Sequence, residues 1–405
     1  MGTHERQSWT GRHYISGRLI KVTAEEGVLT AVEELHEKQA DVRASAVGGS
    51  SVDLEAVAPE LWIAPGLIDL QVNGVQGIDF NEVETNPEQV LLAVRHLQAL
   101  GVIRFCPTVV TAPPDDMAMC IRTIAEACEM YPEVRHAVLG IHVEGPYISE
   151  EDGPRGAHTR EAVRDPVWTE FEHWQKLAGG RIRMLTLAPE RAGALDFIRL
   201  LVQHGVVAAI GHTAATEDEL RQAVAAGATM STHLGNGAHP LLPRHPNYIW
   251  SQLANDGLWA GLIGDGHHLP PSTLKAMIRA KAEKAILVSD MNHFAGLPPG
   301  RYLKRHRHEV ILAADGRLVM ADNPLIFSGA ATPLNRCVEN VARYGICTLG
   351  EAIRMASERP AAVLGLSEEG TGTLLPGASA DLLLYTVGPG GTFEIQTAIA
   401  KGERV

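Results

Sequence analysis

The stretch that decides the fold lies at residues 136–148 and reads HAVLGIHVEGPYI. Its apolar run predicts a buried strand, and Gly145-Pro146 ends that strand because glycine and proline interrupt a hydrogen-bonded ladder. Glu144 is therefore predicted at the carboxyl end of the strand, which is the active-site face of a parallel α/β barrel. Exposed glutamate is common, so this residue taken alone is better explained as an ordinary loop residue.

Two later stretches have the same design. Residues 206–212 read VVAAIGH and residues 228–233 read ATMSTH, and each apolar run ends in a histidine, His212 or His233. A single histidine at a strand end is more often structural than a metal ligand. One carboxylate and two imidazoles at three strand ends, however, match the ligands that zinc and similar divalent ions prefer, with a position left for water. The three stretches together therefore favour a metal site.

Composition limits the class of protein. The chain has 405 residues, which suffice for one large domain and a smaller one, and 45% hydrophobic with 20% charged residues is ordinary for a globular enzyme. The net charge is −13 and no basic stripe stands out, so we expect no nucleic-acid partner. A phosphorylated substrate is still compatible, because only the local charge of the site matters for it.

The expected compartment is the cytoplasm. Five cysteines are scattered without metal spacing, which suits a reducing environment and argues against a disulfide framework. The amino terminus lacks an apolar signal core, and no apolar run is long enough to span a bilayer, so we expect no membrane partner.

Strands alternate with helices through the middle of the chain, which predicts a parallel sheet. The eight predicted strands are residues 65–72, 102–110, the stretch ending at Glu144, 181–187, 206–212, 228–233, 259–265 and 285–290. The predicted helices include 87–100, 115–130, 194–204 and one opened by a capping box of Thr216 and Glu219. Thr348 and Glu351 are expected to cap a late helix. Eight such units predict a (β/α)₈ barrel over residues 65–371.

Both chain ends are predicted to form a second, smaller domain. Residues 14–63 read as short strands and turns, with strands at ISGRLIKV, GVLTAVEEL and LWIAP, and residues 372–405 read in the same way. We expect the two halves, 1–64 and 372–405, to pair into one β-sandwich beside the barrel. Residues 300–320 predict a hairpin with an Asp315-Gly316 turn. The basic cluster at 300–310 is best explained as a solvated edge of that hairpin.

With these motifs in place, the sequence resembles the amidohydrolase superfamily and, within it, the N-acetylglucosamine-6-phosphate deacetylases. The resemblance covers nearly the whole chain. Its general part is PGLIDLQVNG at 65–74, MASERPAAVLGL near Pro360 and GTLLPGASADL ending at Leu382. Its specific part is HVEGPYI at 142–148, RGAH at 155–158, LAPE at 187–190, GHT at 211–213, THLGN at 232–236, DGHH at 265–268 and SDMNHFAGLPPG at 289–300.

The resemblance implies one divalent metal ion per subunit, held by Glu144, His212 and His233. Many amidohydrolases carry His-x-His after the first strand, but this chain has Gln71 and Asn73 there, and an amide is a poor transition-metal ligand beside imidazole. Some deacetylases of the family resemble this arrangement. Zinc is the expected metal, and iron, cobalt or manganese also suit such ligands.

Asp290 is the expected catalytic residue, both by its position at the end of the last strand and by the family match. The implied chemistry is attack of an activated water on an acetamide carbonyl, with Asp290 accepting a proton and returning it to the departing amine. The alternative is that Asp290 caps a helix after the strand.

The expected substrate contacts also come from the resemblance. Arg244 and His268 would bind a sugar phosphate, with Asn236 and Gly237 offering amide groups. In relatives the arginine comes from the adjacent subunit, which implies a homodimer with Arg244 acting across the interface. A solvated Arg244 in its proline-rich loop, LLPRHPN, is the alternative.

Two histidines and one alanine complete the expected site. Ala157 and His158 would contact the substrate, His158 through a sugar hydroxyl or the carbonyl oxygen. His142 is expected beside the metal ligands, as are Gln71 and Asn73, and it fits a structural role at least as well.

The implied activity is deacetylation of N-acetylglucosamine 6-phosphate to glucosamine 6-phosphate and acetate, in amino sugar catabolism. The family usually has an aromatic residue at Gly235 and Ala-Met at Gly237-Ala238, and the late loop at 326–330 also departs from its pattern. These departures surround the sugar rather than the metal. Two alternatives therefore stay open, namely an amidohydrolase acting on N-acetylgalactosamine 6-phosphate, an unphosphorylated sugar or another N-acyl substrate, and a non-catalytic barrel scaffold.

Overall fold

The computed structural model describes residues 6–36, 60–303, 309–324 and 326–405. The strands of this described part are β1 (Arg6–His13), β2 (Leu19–Glu25), β3 (Val28–Glu34), β4 (Trp62–Pro65), β5 (Leu67–Val72), β6 (Gly74–Val75), β7 (Ile78–Asp79), β8 (Val102–Val110), β9 (Ile141–Glu144), β10 (Ile182–Leu187), β11 (Val207–Ile210), β12 (Met230–Ser231), β13 (Trp259–Ile263), β14 (Ala285–Val288), β15 (Gly300–Leu303), β16 (Glu309–Leu312), β17 (Leu318–Met320), β18 (Leu382–Val387), β19 (Phe393–Ala400) and β20 (Glu403–Arg404).

The α-helices cover mainly the outside of the central sheet. They are α1 (Pro87–Ala99), α2 (Pro114–Met130), α3 (Pro132–Ala137), α4 (Trp168–Leu177), α5 (Ala194–Gln203), α6 (Glu217–Ala226), α7 (Tyr248–Ala254), α8 (Pro271–Lys281), α9 (Leu334–Arg343), α10 (Leu349–Met355) and α11 (Glu358–Val363). None of the described helices is long and apolar enough to cross a membrane.

The predicted (β/α)₈ barrel is confirmed. Eight parallel strands pair in the order β14-β13-β12-β11-β10-β9-β8-β5, and a parallel bridge between Val72 and Met291 joins the two end strands. Their side chains are buried on both faces, as expected for parallel strands with helices outside and packed side chains within. All eight carboxyl ends therefore meet on one face of the barrel.

Local sequence signals set the helix starts. Asn86 and Gln89 form a reciprocal capping box ahead of Pro87, and Thr216 with Glu219 forms the predicted one at α6. The Thr348 side chain accepts a hydrogen bond from the Glu351 amide at the start of α10, as predicted. These caps hold the helices at fixed positions after each strand, and so help to position the loops on the carboxyl face.

Both chain ends join in one seven-stranded sheet, ordered β20-β19-β18-β4-β1-β2-β3, as their predicted pairing requires. The sheet curls, because residues 377–380 exchange backbone hydrogen bonds with residues 27–29 of its far edge and Ala380 O accepts from Gly402 N. Strand β1 was missed by the sequence interpretation because RQSWTGRH is polar and only partly buried. The domain boundaries at 64/65 and 371/372 stay a proposal, and residues 37–59 of the first half lie outside the described residues.

Two local predictions need correction. Residues 137–139 were predicted in the strand ending at Glu144, but Ala137 closes helix α3 and β9 begins only at Ile141. Pro132 explains the difference, since proline favours the first position of a helix. The late helix is two helices, α10 and α11, separated at residues 356–357. The predicted hairpin is present as β16 and β17, with β15 alongside, but residues 304–308 of the basic cluster lie outside the described residues.

Candidate metal centre and substrate cleft

Three side chains from three barrel strands converge at the carboxyl face. Glu144 ends β9, His212 follows β11 and His233 follows β12. The Glu144 Oε1 atom lies 3.1 Å from His212 Nε2 and 2.9 Å from His233 Nε2, and the two Nε2 atoms are 3.0 Å apart. One ligand atom from each residue therefore faces a common point, as the sequence analysis expected.

The chemistry of these three atoms fits a metal ion. The Nδ1 atom of His212 donates to Pro154 O at 2.8 Å, which leaves a lone pair on Nε2 in the neutral ring. Burial tends to raise the pKa of Glu144, but the adjacent rings of His212 and His233 hold that pKa well below its ordinary value. A carboxylate and two imidazole nitrogens packed this closely are a favourable site for a divalent cation, and these are the residues of the described chain that could hold one.

The backbone is held in an uncommon conformation at three site residues. His212, His233 and Asp290 have positive φ angles of 51°, 28° and 50°, in the left-handed region. Side chains other than glycine adopt this region at a cost, and such residues cluster at functional sites. Each of the three follows a barrel strand directly, so the turn out of the strand aims its side chain into the cleft.

The two amides at the end of the first strand act as hydrogen-bond donors. Gln71 Nε2 donates to Glu144 Oε1 at 3.0 Å, and Asn73 Nδ2 donates to Asp290 Oδ1 at 2.9 Å. A histidine pair at these positions would instead add ligands. Gln71 and Asn73 therefore orient the two carboxylates of the site.

Asp290 lies buried just after β14, and the next described element along the chain is strand β15 rather than a helix. The alternative that Asp290 caps a helix therefore finds no support in the described structure. Burial and the nearby charge of Glu144 raise the pKa of Asp290 above its ordinary value. A carboxylate with a raised pKa both accepts and releases a proton more readily near neutral pH.

A cleft of about 720 Å³ opens over this centre. The expected site residues that line it are Asn73, Glu144, Ala157, His158, His212, His233, Asn236, Gly237, His268 and Asp290. Three others lie elsewhere. Gln71 and His142 are buried beneath the ligands, and Arg244 is exposed on the loop before α7, outside the cleft lining of its own chain.

His158 approaches the metal centre from a loop after β9. Its Nε2 atom is 3.2 Å from His212 Nε2, and the two rings meet edge to face with centroids 4.3 Å apart. Arg155 holds the loop by donating to His158 O at 2.7 Å. His158 is thus placed beside a ligand, within reach of a substrate in the cleft.

Two carboxylates near the site had no role in the sequence interpretation. Asp265 Oδ2 lies 2.6 Å from His268 Nδ1, and its Oδ1 accepts from the His267 and His268 amides. Glu190 Oε1 accepts from Ala214 N at 2.6 Å and so holds the loop after His212. Both carboxylates lie at or just beyond a strand end, and that position was the signal available in the sequence.

His142 is fully enclosed. Its Nδ1 atom is 3.2 Å from Leu70 O and its Nε2 atom is 2.8 Å from Thr186 Oγ1. Burial lowers the pKa of His142 to about 4, so the ring is neutral at pH 7. The structural role considered for His142 fits this buried position beneath Glu144.

Comparison with known proteins identifies the family of the chain. The amidohydrolase family model matches residues 62–405, and the chain belongs to that family. It is a hydrolase of the kind that acts on acetamides.

The relatives narrow this to the N-acetylglucosamine-6-phosphate deacetylases. The human N-acetylglucosamine-6-phosphate deacetylase is 34% identical over 353 residues, covering 85% of this chain and 83% of its own length. The N-acetylgalactosamine-6-phosphate deacetylase of Escherichia coli O157:H7 is 31% identical over 332 residues, covering 80% and 84%. A Mycobacterium smegmatis N-acetyl-D-glucosamine-6-phosphate deacetylase, solved with N-acetyl-D-glucosamine-6-phosphate, has a TM-score of 0.81 at 26% identity, covering 100% and 99%.

Proposed function

We propose that the protein hydrolyses the acetamide of N-acetylglucosamine 6-phosphate to glucosamine 6-phosphate and acetate, as a step of amino sugar catabolism in the cytoplasm. The observation that carries the proposal is the convergence of Glu144, His212 and His233 beneath a cleft that Asp290 also lines. The family of the chain and the substrate named for its relatives support the same reaction.

Glu144, His212 and His233 would hold one divalent ion, for which zinc is our first choice. When bound, such an ion supplies a Lewis acid that polarises the amide carbonyl and lowers the pKa of a coordinated water. Gln71 fixes the Glu144 carboxylate by its hydrogen bond, and Pro154 O fixes the ring of His212. These contacts keep the ligand atoms of Glu144 and His212 aimed at one point before any ion arrives.

Asp290 would move the proton. Its carboxylate accepts a proton from the attacking water and delivers it to the nitrogen as the C–N bond breaks, so Asp290 ends the cycle ionised. Asn73 orients the carboxylate by donating to Oδ1, which leaves Oδ2 for the proton. His158, beside His212, would contact the carbonyl oxygen or a sugar hydroxyl.

The sugar phosphate would lie toward Asn236, Gly237 and His268, which line one side of the cleft. Asp265 fixes the Nδ1 side of His268, so Nε2 is left for the ligand. The exposed Arg244 would complete the phosphate site from a second subunit of a homodimer, because it lies outside the cleft of its own chain.

Metal analysis combined with acetate release from N-acetylglucosamine 6-phosphate tests this function. We expect about one metal ion per chain and hydrolysis that is lost with a chelator and restored by zinc. A protein that binds no stoichiometric metal and releases no acetate would contradict the proposal and favour a scaffold.

A second substrate is supported by one comparison, because the Escherichia coli O157:H7 relative is named for N-acetylgalactosamine 6-phosphate. Parallel assays of both phosphorylated epimers and of unphosphorylated N-acetylglucosamine separate the candidates. Arg244→Ala should weaken catalysis on phosphorylated sugars only. An equal loss on both kinds of sugar would remove Arg244 from the phosphate site.

Mixing Arg244→Ala with Asp290→Asn subunits tests the homodimer. If Arg244 acts across the interface, each mixed dimer contains one site with both groups intact. In an equal mixture with random pairing half of the dimers are mixed, so the activity of the mixture returns to about one quarter of the wild-type rate. If Arg244 acts within its own chain, each site of the mixed dimer lacks one group, and the mixture stays inactive.

A further inference from the structure

A buried chain of hydrogen bonds runs through the barrel directly beneath the metal centre. It links Leu70 O, the ring of His142, the hydroxyl of Thr186 and the hydroxyl of Thr232, at 3.2, 2.8 and 2.7 Å in turn. His142 and Thr186 have no exposed surface, and Thr232 is 4% exposed. Such bonds are sheltered from competition with water.

The first bond of the chain has a fixed direction. A carbonyl oxygen only accepts, so the Nδ1–H of His142 donates to Leu70 O. The Thr186 hydroxyl bonds both the Nε2 atom of His142 and the Thr232 hydroxyl. Thr186 is therefore the central member of the chain, with a buried partner on each side.

Thr186 touches the neighbours of all three proposed ligands. In the parallel register it stands opposite Glu144, and its carbonyl accepts from Gly145 N at 3.0 Å. A Cβ atom built at Gly211, the residue before His212, would lie 2.7 Å from Thr186 Cγ2 and 2.9 Å from Thr232 Cβ. Thr232 itself directly precedes His233.

We infer that Thr186 and Thr232 are positioning residues for the metal centre, which hold Glu144, His212 and His233 in register through the buried hydrogen bonds and close packing described above. Neither threonine touches the cleft, so neither is a catalytic residue. Groups that hydrogen-bond directly to metal ligands typically contribute about 10- to 100-fold in metal affinity, and the two threonines act one step further back, through residues adjacent to the ligands. The inference rests on the metal site of the proposed function but not on the substrate.

Metal affinity of matched variants tests the inference. Thr186→Val keeps the shape of the side chain but removes the hydroxyl, and Thr186→Ser keeps the hydroxyl. Zinc affinity of each chelator-stripped protein is measured by competition with a chromophoric chelator. We expect Thr186→Val to bind zinc about 10- to 100-fold more weakly and Thr186→Ser to stay within about threefold of wild type.

Thr386→Val is the control for loss of a buried hydroxyl far from the site. Thr386 lies in β18 of the outer sheet, is 5% exposed, and accepts from Gln396 Nε2 at 3.0 Å. This control should melt at a lower temperature and yet bind zinc like wild type. With saturating zinc, Thr186→Val should recover its substrate KM, because the chain of bonds does not contact the sugar.

The results distinguish failure of the inference from failure of the proposed function. Wild-type zinc affinity in Thr186→Val, or an equal loss in Thr186→Ser, would overturn the inference. If Thr186→Val does not fold, Thr232→Val and Thr232→Ser provide the same comparison at the outer bond of the chain. A wild-type protein that binds no zinc would instead contradict the proposed function, and the inference would fail with it.

Discussion

Glu144 and Asp381 are both carboxylates with two basic side chains beside them, but the neighbours of Asp381 play a different hydrogen-bonding role. Glu144 is buried, and the side chain of Asp381 is 12% exposed. Asp381 joins the outer sheet to the barrel, where it lies 2.9 Å from Arg104 Nε and 2.8 Å from His136 Nε2, and it accepts from Lys401 N at 2.9 Å. All three neighbours present N–H groups, and burial notwithstanding, they lower the pKa of Asp381 to about 2. The hydrogen-bonding capacity of the Asp381 carboxylate is therefore satisfied within the protein.

At Glu144 the two imidazoles also face each other. Their Nε2 atoms are 3.0 Å apart, and the Nδ1 proton of His212 is already donated to Pro154 O. The neutral ring of His212 therefore presents an Nε2 lone pair beside the Glu144 carboxylate, whereas the neighbours of Asp381 all donate to it. The difference indicates that a carboxylate is structural when every neighbour donates to it, and that a carboxylate facing an imidazole lone pair favours a cation between the two.

The largest predicted effect is on catalysis, and it comes from removing the negative charge of Glu144. Glu144→Gln keeps the shape but removes the charge, so we expect loss of the metal and a fall in kcat/KM of about 10⁴-fold, since polarisation of the carbonyl and activation of water are lost together. Metal content and acetate release measure both. A variant that keeps one metal per chain and its turnover would remove Glu144 from the site.

The second prediction removes the proton carrier but leaves the ligands. Asp290→Asn should retain its metal while kcat falls by about 10²- to 10⁴-fold, the usual contribution of general acid–base catalysis. KM should change little, because Asp290 takes part in proton transfer rather than in binding the phosphate. Turnover near the wild-type rate with normal metal content would contradict the catalytic role.

The third prediction concerns the other carboxylate. Asp381→Asn should lower the free energy of unfolding by about 2 kcal/mol at pH 7, the equivalent of a pKa that falls from about 3.8 when unfolded to about 2 when folded. Because the folded pKa is the lower one, the wild type has this stabilisation above about pH 4 and loses it as the pH falls towards about 2.

Chemical denaturation of both proteins at pH 7 and at low pH measures that difference. Metal content and kcat of Asp381→Asn should match wild type at pH 7. If this variant loses its metal, the two clusters are not independent and the contrast between them is wrong.

The sequence predicted the parts of this picture that depend on strand ends. Eight apolar runs predicted the barrel, and the abrupt stops at Glu144, His212 and His233 placed the three proposed ligands on one face, because parallel strands share a carboxyl edge. Gln71 and Asn73 were expected near the metal, but their role as donors to carboxylates depends on side-chain directions that no spacing encodes.

Contacts between distant segments were not predictable in the same way. Asp381 meets Arg104 across 277 positions of sequence, and nothing in ASADL distinguishes its aspartate from a surface residue. Thr186 was one member of a plain apolar strand, and its importance is visible only when β9, β10 and the residues before His233 are side by side. Periodicity reports which face of a strand is buried but not which group a buried hydroxyl meets.

The smallest predicted effect is a shift of the pH profile through the pKa of Asp290. Asn73 donates a hydrogen bond to Asp290 Oδ1 and so favours the ionised carboxylate. Burial and the charge of Glu144 act in the opposite direction and raise the pKa of Asp290. Asn73→Leu removes the donor at similar volume, and the pKa of Asp290 should rise further. Because the ionised form accepts the proton, the acid limb of kcat/KM should move to higher pH, while the plateau falls less than about tenfold. A pH profile of both metal-loaded proteins, with Asn81→Leu at the cleft edge as the control, measures the shift. An acid limb that stays in place or moves to lower pH would show that the proton is accepted by a group other than Asp290.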